Sequence, residues 1–260
     1  MELSVKEQRE TLTTVLMDDD VAGALWSFVD SGLADKIVPE LPALRLEQDP
    51  IHRHKEVLSH TIAVTAKTTP DLVLRLAALF HDIGKPATRR IQDGGVTFRH
   101  HEAVGAKITK KRLRQLEYPE EVIGDVSELV RLSGRFKGYA QGWGDSAVRR
   151  YARDAGHLLG KLNDLVRSDC TSRHERIHLE IRHHVDDLER RIGELADDER
   201  KSAERPLLDG QEIMQRFSVG PGPRVGQALK FLLELKRSNP DLDREHTEKK
   251  LDIWWENYES

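Results

Sequence analysis

The octapeptide Leu79-Phe80-His81-Asp82-Ile83-Gly84-Lys85-Pro86 closes an apolar run that starts at Leu72, and it constrains the chain more than any other stretch. Leu72, Val73, Leu76, Leu79 and Phe80 recur at helical spacing, which predicts a buried helix over 70–83. Thr69 can cap it and Pro70 suits its first position. Gly84 offers a left-handed stop, and Pro86 forbids continuation. An acid in the last turn does not suit a purely structural helix. Backbone carbonyls there already present about half a negative charge, which disfavours Asp82 by roughly 0.3–1 kcal/mol. A bound cation would reverse that sign.

His81 and Asp82 are therefore candidate ligands of a divalent metal: imidazole nitrogen with carboxylate oxygen suits zinc, manganese, iron or nickel. Adjacent helical positions diverge enough to approach one ion from two sides. A structural alternative stays open, in which His81 bonds a carbonyl and Asp82 pairs with Lys85. The rest of the chain bears on the choice. His60 lies among Val57, Leu58, Ile62 and Val64 in a helix expected to start near Asp49-Pro50, so it is buried beside a neighbour, either satisfied in the core or ligating. His52 and His54 fall in that helix's first turn. Asp169 sits beside Leu165, Val166 and Cys170, where a carboxylate needs a cation or a donor such as Arg167 or Arg173. It is the candidate final ligand.

Composition sets the class. Charged residues make up 33% of the 260 residues against 38% hydrophobic and 5% aromatic, as expected of a soluble, helix-rich protein. No apolar run approaches the roughly 18 residues of a membrane span and no secretory leader is evident, so a cytoplasmic location is expected. Cys170 is the only cysteine, which excludes a disulfide framework and a cysteine-built zinc site. A formal net charge of −4 excludes a blanket nucleic-acid binder and leaves any such contact to local basic patches. The densest of these is the run Lys107, Lys110, Lys111, Arg112 and Arg114, either a solvated helix face or a phosphate-backbone contact.

In order, residues 4–29 carry two short helical stripes separated by Asp18-Asp19-Asp20, read as a helix cap. Asp93-Gly94 between extended residues predicts a small hairpin. His100-His101-Glu102 opens a further helix, 119–133 forms another, and a glycine-rich loop follows over 134–144. Asp145 then starts a helix bearing Arg149, Arg150 and Arg153. A long charged helix runs from His174 to about Lys201 with a narrow apolar stripe. Asp209-Gly210 begins a terminal helical module on which Trp254 and Trp255 are expected to dock. These breaks predict four parts: a helical cap (1–45), a central domain (46–175), a long charged helix (176–205) and a C-terminal module (206–260).

His60, His81-Asp82 with Ile83-Gly84-Lys85, His101-Glu102 with Gly105-Ala106, and Asp169 together resemble the HD superfamily of metal-dependent phosphohydrolases. The wider chain is similar to the HD-containing C-terminal half (neck, HD domain and tRNA-binding body) of bacterial tRNA nucleotidyltransferases of the CCA-adding, actinobacterial type. The matching segments include Pro39-Glu40-Leu41, His54 to Val57, Leu74 to Pro86, Asp145 to Arg150, Asp169-Cys170-Thr171 and Pro221 to Gly226. No counterpart of those enzymes' nucleotide-transferring head is found, so the chain is not expected to add nucleotides by itself. At Ser133 and Lys137 it departs from relatives that carry histidines, which favours a single ion over two.

The resemblance implies an all-α fold: an HD helical bundle with a small N-terminal cap, a minor hairpin and a C-terminal helical module. It implies phosphoester hydrolysis on nucleotides or RNA ends, of 2′,3′-cyclic phosphodiesterase, 2′-nucleotidase or phosphatase type. His60, His81, Asp82 and Asp169 would hold nickel, manganese, zinc or iron, with magnesium as a further option. Asp82, Lys85 and His101 would be catalytic, and Lys85, His100, Arg149 and Arg150 would bind substrate. The implied partners are a nucleotide or RNA phosphoester, tRNA among them, and no membrane. The rival expectation is a tRNA-binding module, or the partner of a separately encoded nucleotidyltransferase head, with a vestigial HD site.

Overall fold

A computed structural model describes residues 3–46, 56–92, 95–170, 174–203, 205–239 and 241–258. The readings of His52, His54 and Asp93-Gly94 lie outside the described residues. Contacts divide the chain into two units, Met1–Ile192 and Gly193–Ser260, and the division falls inside the long charged helix.

The first unit begins with α1 (Val5–Met17), α2 (Val21–Asp30) and the short α3 (Leu33–Ile37). Ser4 and Glu7 form a reciprocal capping box on α1, and Asp20 caps α2 through the Gly23 amide at 3.0 Å. Next come α4 (Val57–Lys67), α5 (Leu72–Phe80), the single turn α6 (Lys85–Thr88), and the antiparallel strands β1 (Arg90–Gln92) and β2 (Gly95–Thr97), with Ile91 opposite Val96. Then follow α7 (His101–Gln115), α8 (Glu120–Leu132), α9 (Asp145–Ala155), α10 (Leu159–Ser168) and α11 (Glu175–Ala203). The architecture is all-α with one minor hairpin.

α5 is the axis of this unit, buried without interruption from Leu74 to Phe80 and packed on α1, α4, α7, α8 and α10. A helix apolar on every face has to be surrounded. Its one buried cation, Arg75, is spent on the end of α1, where it donates to the carbonyls of Leu16 (2.5 Å) and Asp18 (3.2 Å).

The ends of α5 differ from the sequence expectation. Asp71, not Thr69, is the cap, because its carboxylate reaches the Leu74 amide at 2.9 Å, and this leaves Pro70 outside the helix. The helix stops at Phe80 with His81 as its C-cap. Gly84 is right-handed (φ −82°), and Pro86 falls in the first turn of α6, where its missing N–H costs nothing. The glycine answers a close approach instead: a Cβ there would lie 2.2 Å from the His101 carbonyl oxygen and 2.6 Å from the Gly105 nitrogen.

The 134–144 loop is fixed from two sides. Phe136, Tyr139 and Trp143 pack ring on ring, and from α11 Arg191 donates to the Trp143 carbonyl while Asp187 accepts from the Tyr139 hydroxyl at 2.5 Å. In the second unit α12 (Gly210–Phe217), α13 (Pro223–Ser238) and α14 (Arg244–Glu256) enclose Ile213, Ala228, Leu232 and Leu251. Trp255 stacks on Phe217 at 4.1 Å and Trp254 on Phe231 at 5.3 Å, so the paired tryptophans dock on this module.

Candidate metal centre

Five helices deliver one cluster. His60 projects from the first turn of α4, His81 caps α5 with Asp82 just beyond it, Lys85 opens α6, His101 opens α7, and Asp169 caps α10. His81 is oriented by the helix that it ends: its Nδ1 donates to the Ala78 carbonyl at 2.7 Å, one of the unpaired carbonyls of a helix terminus. That bond turns Nε2 toward the other groups. From it the distances are 3.3 Å to His60 Nε2, 3.3 Å to Asp82 Oδ2 and 3.4 Å to Asp169 Oδ1. His60 Nε2 lies 3.0 Å from Asp169 Oδ1 and 3.7 Å from Asp82 Oδ2.

These separations fit a metal. Ligands about 2.0–2.2 Å from a tetrahedral ion stand about 3.3–3.6 Å from one another. The donor set, two imidazole nitrogens and two carboxylate oxygens, suits a divalent transition ion. His60, His81 and Asp82 offer ligand atoms that all lie within 4.8 Å of one another. Asp169 adds its oxygen beside both imidazoles, with its side chain 40% exposed against 3% for Asp82.

Without the ion the protein balances the same charge with protons and Lys85. Burial opposes charge on His81, yet the Asp82 carboxylate and the hydrogen bonds to Asp169 and Asp82 outweigh it and push its pKa up to about 10. Burial would raise Asp82, but the charge on His81, the hydrogen bonds from His101 and His81, and the Lys85 ammonium hold it well below the usual carboxylate range. Asp169 is depressed in the same way, its burial outweighed by hydrogen bonds from His60 and His81. Lys85, its side chain only 7% exposed, donates from Nζ to Asp82 Oδ2 at 2.7 Å. The structural contacts weighed for His81 and Asp82 are thus present together with the convergence.

The cluster floors an open cleft of about 700 Å³. His101 enters it with Nδ1 donating to the Phe98 carbonyl at 2.8 Å and Nε2 3.5 Å from Asp82 Oδ1. His100 lies on the rim. Arg149 and Arg150, expected to bind substrate, are not among the residues that line the cleft: α9 buries Val148 and Tyr151, and that register turns both arginines to the exposed side. The sequence did not mark Phe98, Arg99, Glu102, Lys137 or Ile177 as site residues, yet all line it. Glu102 belongs to the His101-Glu102 motif, which was the available signal. Lys137 binds Glu102 at 3.0 Å, and Ser133 is occupied by the Val130 carbonyl at 3.0 Å.

The HD domain family matches residues 56–216. The chain is similar to the A-adding tRNA nucleotidyltransferase of Deinococcus radiodurans, 31% identical over 239 residues that cover 88% of this chain and 53% of the relative. It is 34% identical to the CC-adding tRNA nucleotidyltransferase of Thermus thermophilus over 237 residues, 87% of this chain and 51% of the relative. The chain spans about half the length of these curated relatives, in keeping with the resemblance to their HD-containing half. The family match runs through every side chain of the cluster, from His60 to Asp169, and the chain belongs to the HD-domain family.

Proposed function

We propose that this protein is a metal-dependent phosphohydrolase acting on nucleotides or RNA ends, of 2′,3′-cyclic phosphodiesterase, 2′-nucleotidase or phosphatase type. The observation that carries the reading is the convergence, on the floor of an open cleft, of two imidazole nitrogens 3.3 Å apart with the Asp82 and Asp169 carboxylates, each 3.0 to 3.7 Å from both of them. His60, His81, Asp82 and Asp169 would hold nickel, manganese, zinc, iron or magnesium. A divalent ion bound there supplies a lowered pKa for water and screening of the ester's negative charge.

The chain's own groups do the rest. His101, with Nδ1 committed to the Phe98 carbonyl, presents Nε2 at the cleft floor 3.5 Å from Asp82 Oδ1, where it can exchange a proton with water or with the leaving oxygen. Lys85, fixed on Asp82, sets a positive charge beside the place where negative charge develops. The similarity to two tRNA nucleotidyltransferases favours an RNA end, tRNA included, as the substrate.

The test is metal analysis of the purified protein together with a phosphoester panel assayed with each divalent cation. Metal-dependent turnover that His81→Ala and Asp82→Asn both abolish, with circular dichroism unchanged, is the expected result. Turnover retained in both variants refutes the site. Protein that binds no metal and turns over nothing, yet shifts tRNA with a steep salt dependence, establishes the rival module instead.

A further inference from the structure

The cleft holds more cationic groups than one phosphate needs, and they are not equivalent. Lys85 is buried on Asp82 and belongs to the floor. Lys137 comes from the loop after α8, its side chain 66% exposed while its ammonium is anchored on Glu102. Gly134 permits that anchor, because a Cβ there would lie 2.1 Å from Glu102 Oε1. One carboxylate engages one of the three N–H donors of Lys137, leaving two for a ligand.

Arg99 and His100 add to the rim. Both line the cleft and both are exposed, and among the described residues neither side chain has a hydrogen-bonding or ionic partner. His100 adopts a left-handed backbone (φ +62°), a conformation costing a non-glycine residue roughly 1–2 kcal/mol. As the N-cap of α7 its carbonyl accepts from the Val104 amide at 3.1 Å, while its side chain makes no capping bond and is left to the cleft.

The charges separate into two groups. With a divalent ion on the floor, the ion and Lys85 exceed Asp82 and Asp169 by one unit, which draws the scissile phosphate. At the rim Glu102 cancels Lys137 and leaves Arg99 as one uncompensated positive charge. Arg99 is two residues from His101, within about 7.6 Å along the backbone. We propose that Arg99, His100 and Lys137 form a second anion subsite that takes a phosphate neighbouring the scissile one. The ligand is either the adjacent phosphodiester of an RNA end or the inner phosphate of a nucleoside diphosphate. The guanidinium forks across two oxygens, and Lys137 adds a point charge. This subsite rests on the phosphohydrolase reading and names the substrate feature that the cleft selects.

The test compares adenosine 2′,3′-cyclic phosphate with the dinucleotide ApA ending in 2′,3′-cyclic phosphate, and AMP with ADP, on the metal-loaded full chain. KM for the dinucleotide, or for ADP relative to AMP, should be at least tenfold lower than for the single-phosphate compound, and which of the two shows the advantage identifies the source of the second phosphate. Arg99→Ala should cut that advantage at least fivefold, mainly through KM, and Lys137→Ala should cut it by a smaller factor. Lys36→Ala, which removes an exposed charge elsewhere, should leave it intact. Equal KM values for one- and two-phosphate substrates, or an Arg99→Ala loss that is the same for both, overturn the subsite. If nothing is hydrolysed, calorimetry with pyrophosphate and phosphate separates the two ideas. Tighter pyrophosphate binding that Arg99→Ala abolishes keeps the subsite while the hydrolase reading falls, and equal binding of the two anions overturns the subsite as well.

Discussion

Gly84→Ala tests whether the site is positioned by backbone contact between α6 and α7. Gly84 has an ordinary right-handed backbone (φ −82°), so alanine meets no conformational penalty and should gain about 0.4–1 kcal/mol from a less flexible unfolded chain. Its Cβ, however, would stand 2.2 Å from the His101 carbonyl oxygen, 2.6 Å from the Gly105 nitrogen and 3.1 Å from the Gly105 Cα. All three are backbone atoms, so no rotamer change relieves them, and α7 has to retreat by about 1 Å. Overpacking of this kind costs about 1–3 kcal/mol, so a net loss of about 1–2 kcal/mol is expected.

Gly124→Ala in α8 is the matched control, because its Cβ meets nothing within 4 Å and mid-helix alanine should stabilise by roughly 0.5–1 kcal/mol. Urea midpoints at constant slope should place the two variants about 2–3 kcal/mol apart in opposite directions from the parent. The retreat of α7 also carries His101 away from Asp82, so Gly84→Ala should lose turnover as well as stability. A Gly84→Ala variant as stable as Gly124→Ala would show that the approach is loose and that the argument from contact is wrong.

Three further perturbations address other parts of the molecule. Lys85→Met removes one of the cations that hold the Asp82 carboxylate, only 3% exposed, and leaves His81 and His101 beside it, so it should cost about 1–3 kcal/mol in metal-free protein. Added zinc or manganese should recover part of that loss in thermal unfolding, and an identical loss with and without the ion would contradict the shared charge balance. Trp255→Ala removes a ring stacked 4.1 Å from Phe217 and should weaken the C-terminal unit by about 3–5 kcal/mol. Hydrogen exchange should then quicken in α12 to α14 and stay slow in α5, and uniform quickening would refute a local role. Arg167 hydrogen-bonds Glu189 and Asp186 and so ties α10 to α11, holding the Glu189 pKa below its ordinary value. A depressed carboxylate stabilises the fold above its unfolded pKa and loses that contribution as pH falls through the folded value. The parent should therefore lose more stability than Arg167→Ala between about pH 5 and pH 3, measured by urea unfolding at each pH. Parallel losses would dismiss the ion pair.

The sequence made α5 legible because an all-round apolar helix has one physical solution, a place inside a bundle. Its ends were less legible, since Thr69, Pro70 and Asp71 all carry start signals and only the amide that a side chain actually reaches decides among them. Gly84 was assigned to a backbone conformation when its work is a tertiary approach, and no local pattern reports what another helix brings alongside. His60 and Asp169 stood out as polar side chains among apolar neighbours, a mismatch visible in one dimension. Arg149 and Arg150 carried no such mismatch, because arginines on the outer face of a helix look the same whether or not a cleft lies beneath them. The Glu102–Lys137 pair joins residues 35 positions apart and had no sequence signal beyond the motif containing Glu102.

The position of the cluster follows from how helix ends concentrate charge. α5 and α10 both direct their C-termini at it, each presenting about half a negative charge from unpaired carbonyls, and each is followed by a carboxylate, Asp82 or Asp169, that adds a full one. His81 answers part of this by donating to the Ala78 carbonyl, and Lys85 answers more by pairing with Asp82 from the start of the next helix. A fold that needed only stability would not bring two acids and two helix C-termini within reach of two imidazoles, since apolar side chains in the same space are often as stable or more so. What the arrangement does produce is a fixed negative well with imidazole nitrogens on its wall. A proton on His81 and the Lys85 ammonium share that charge in the metal-free protein, and a divalent cation at the imidazoles would take over the part that the proton carries.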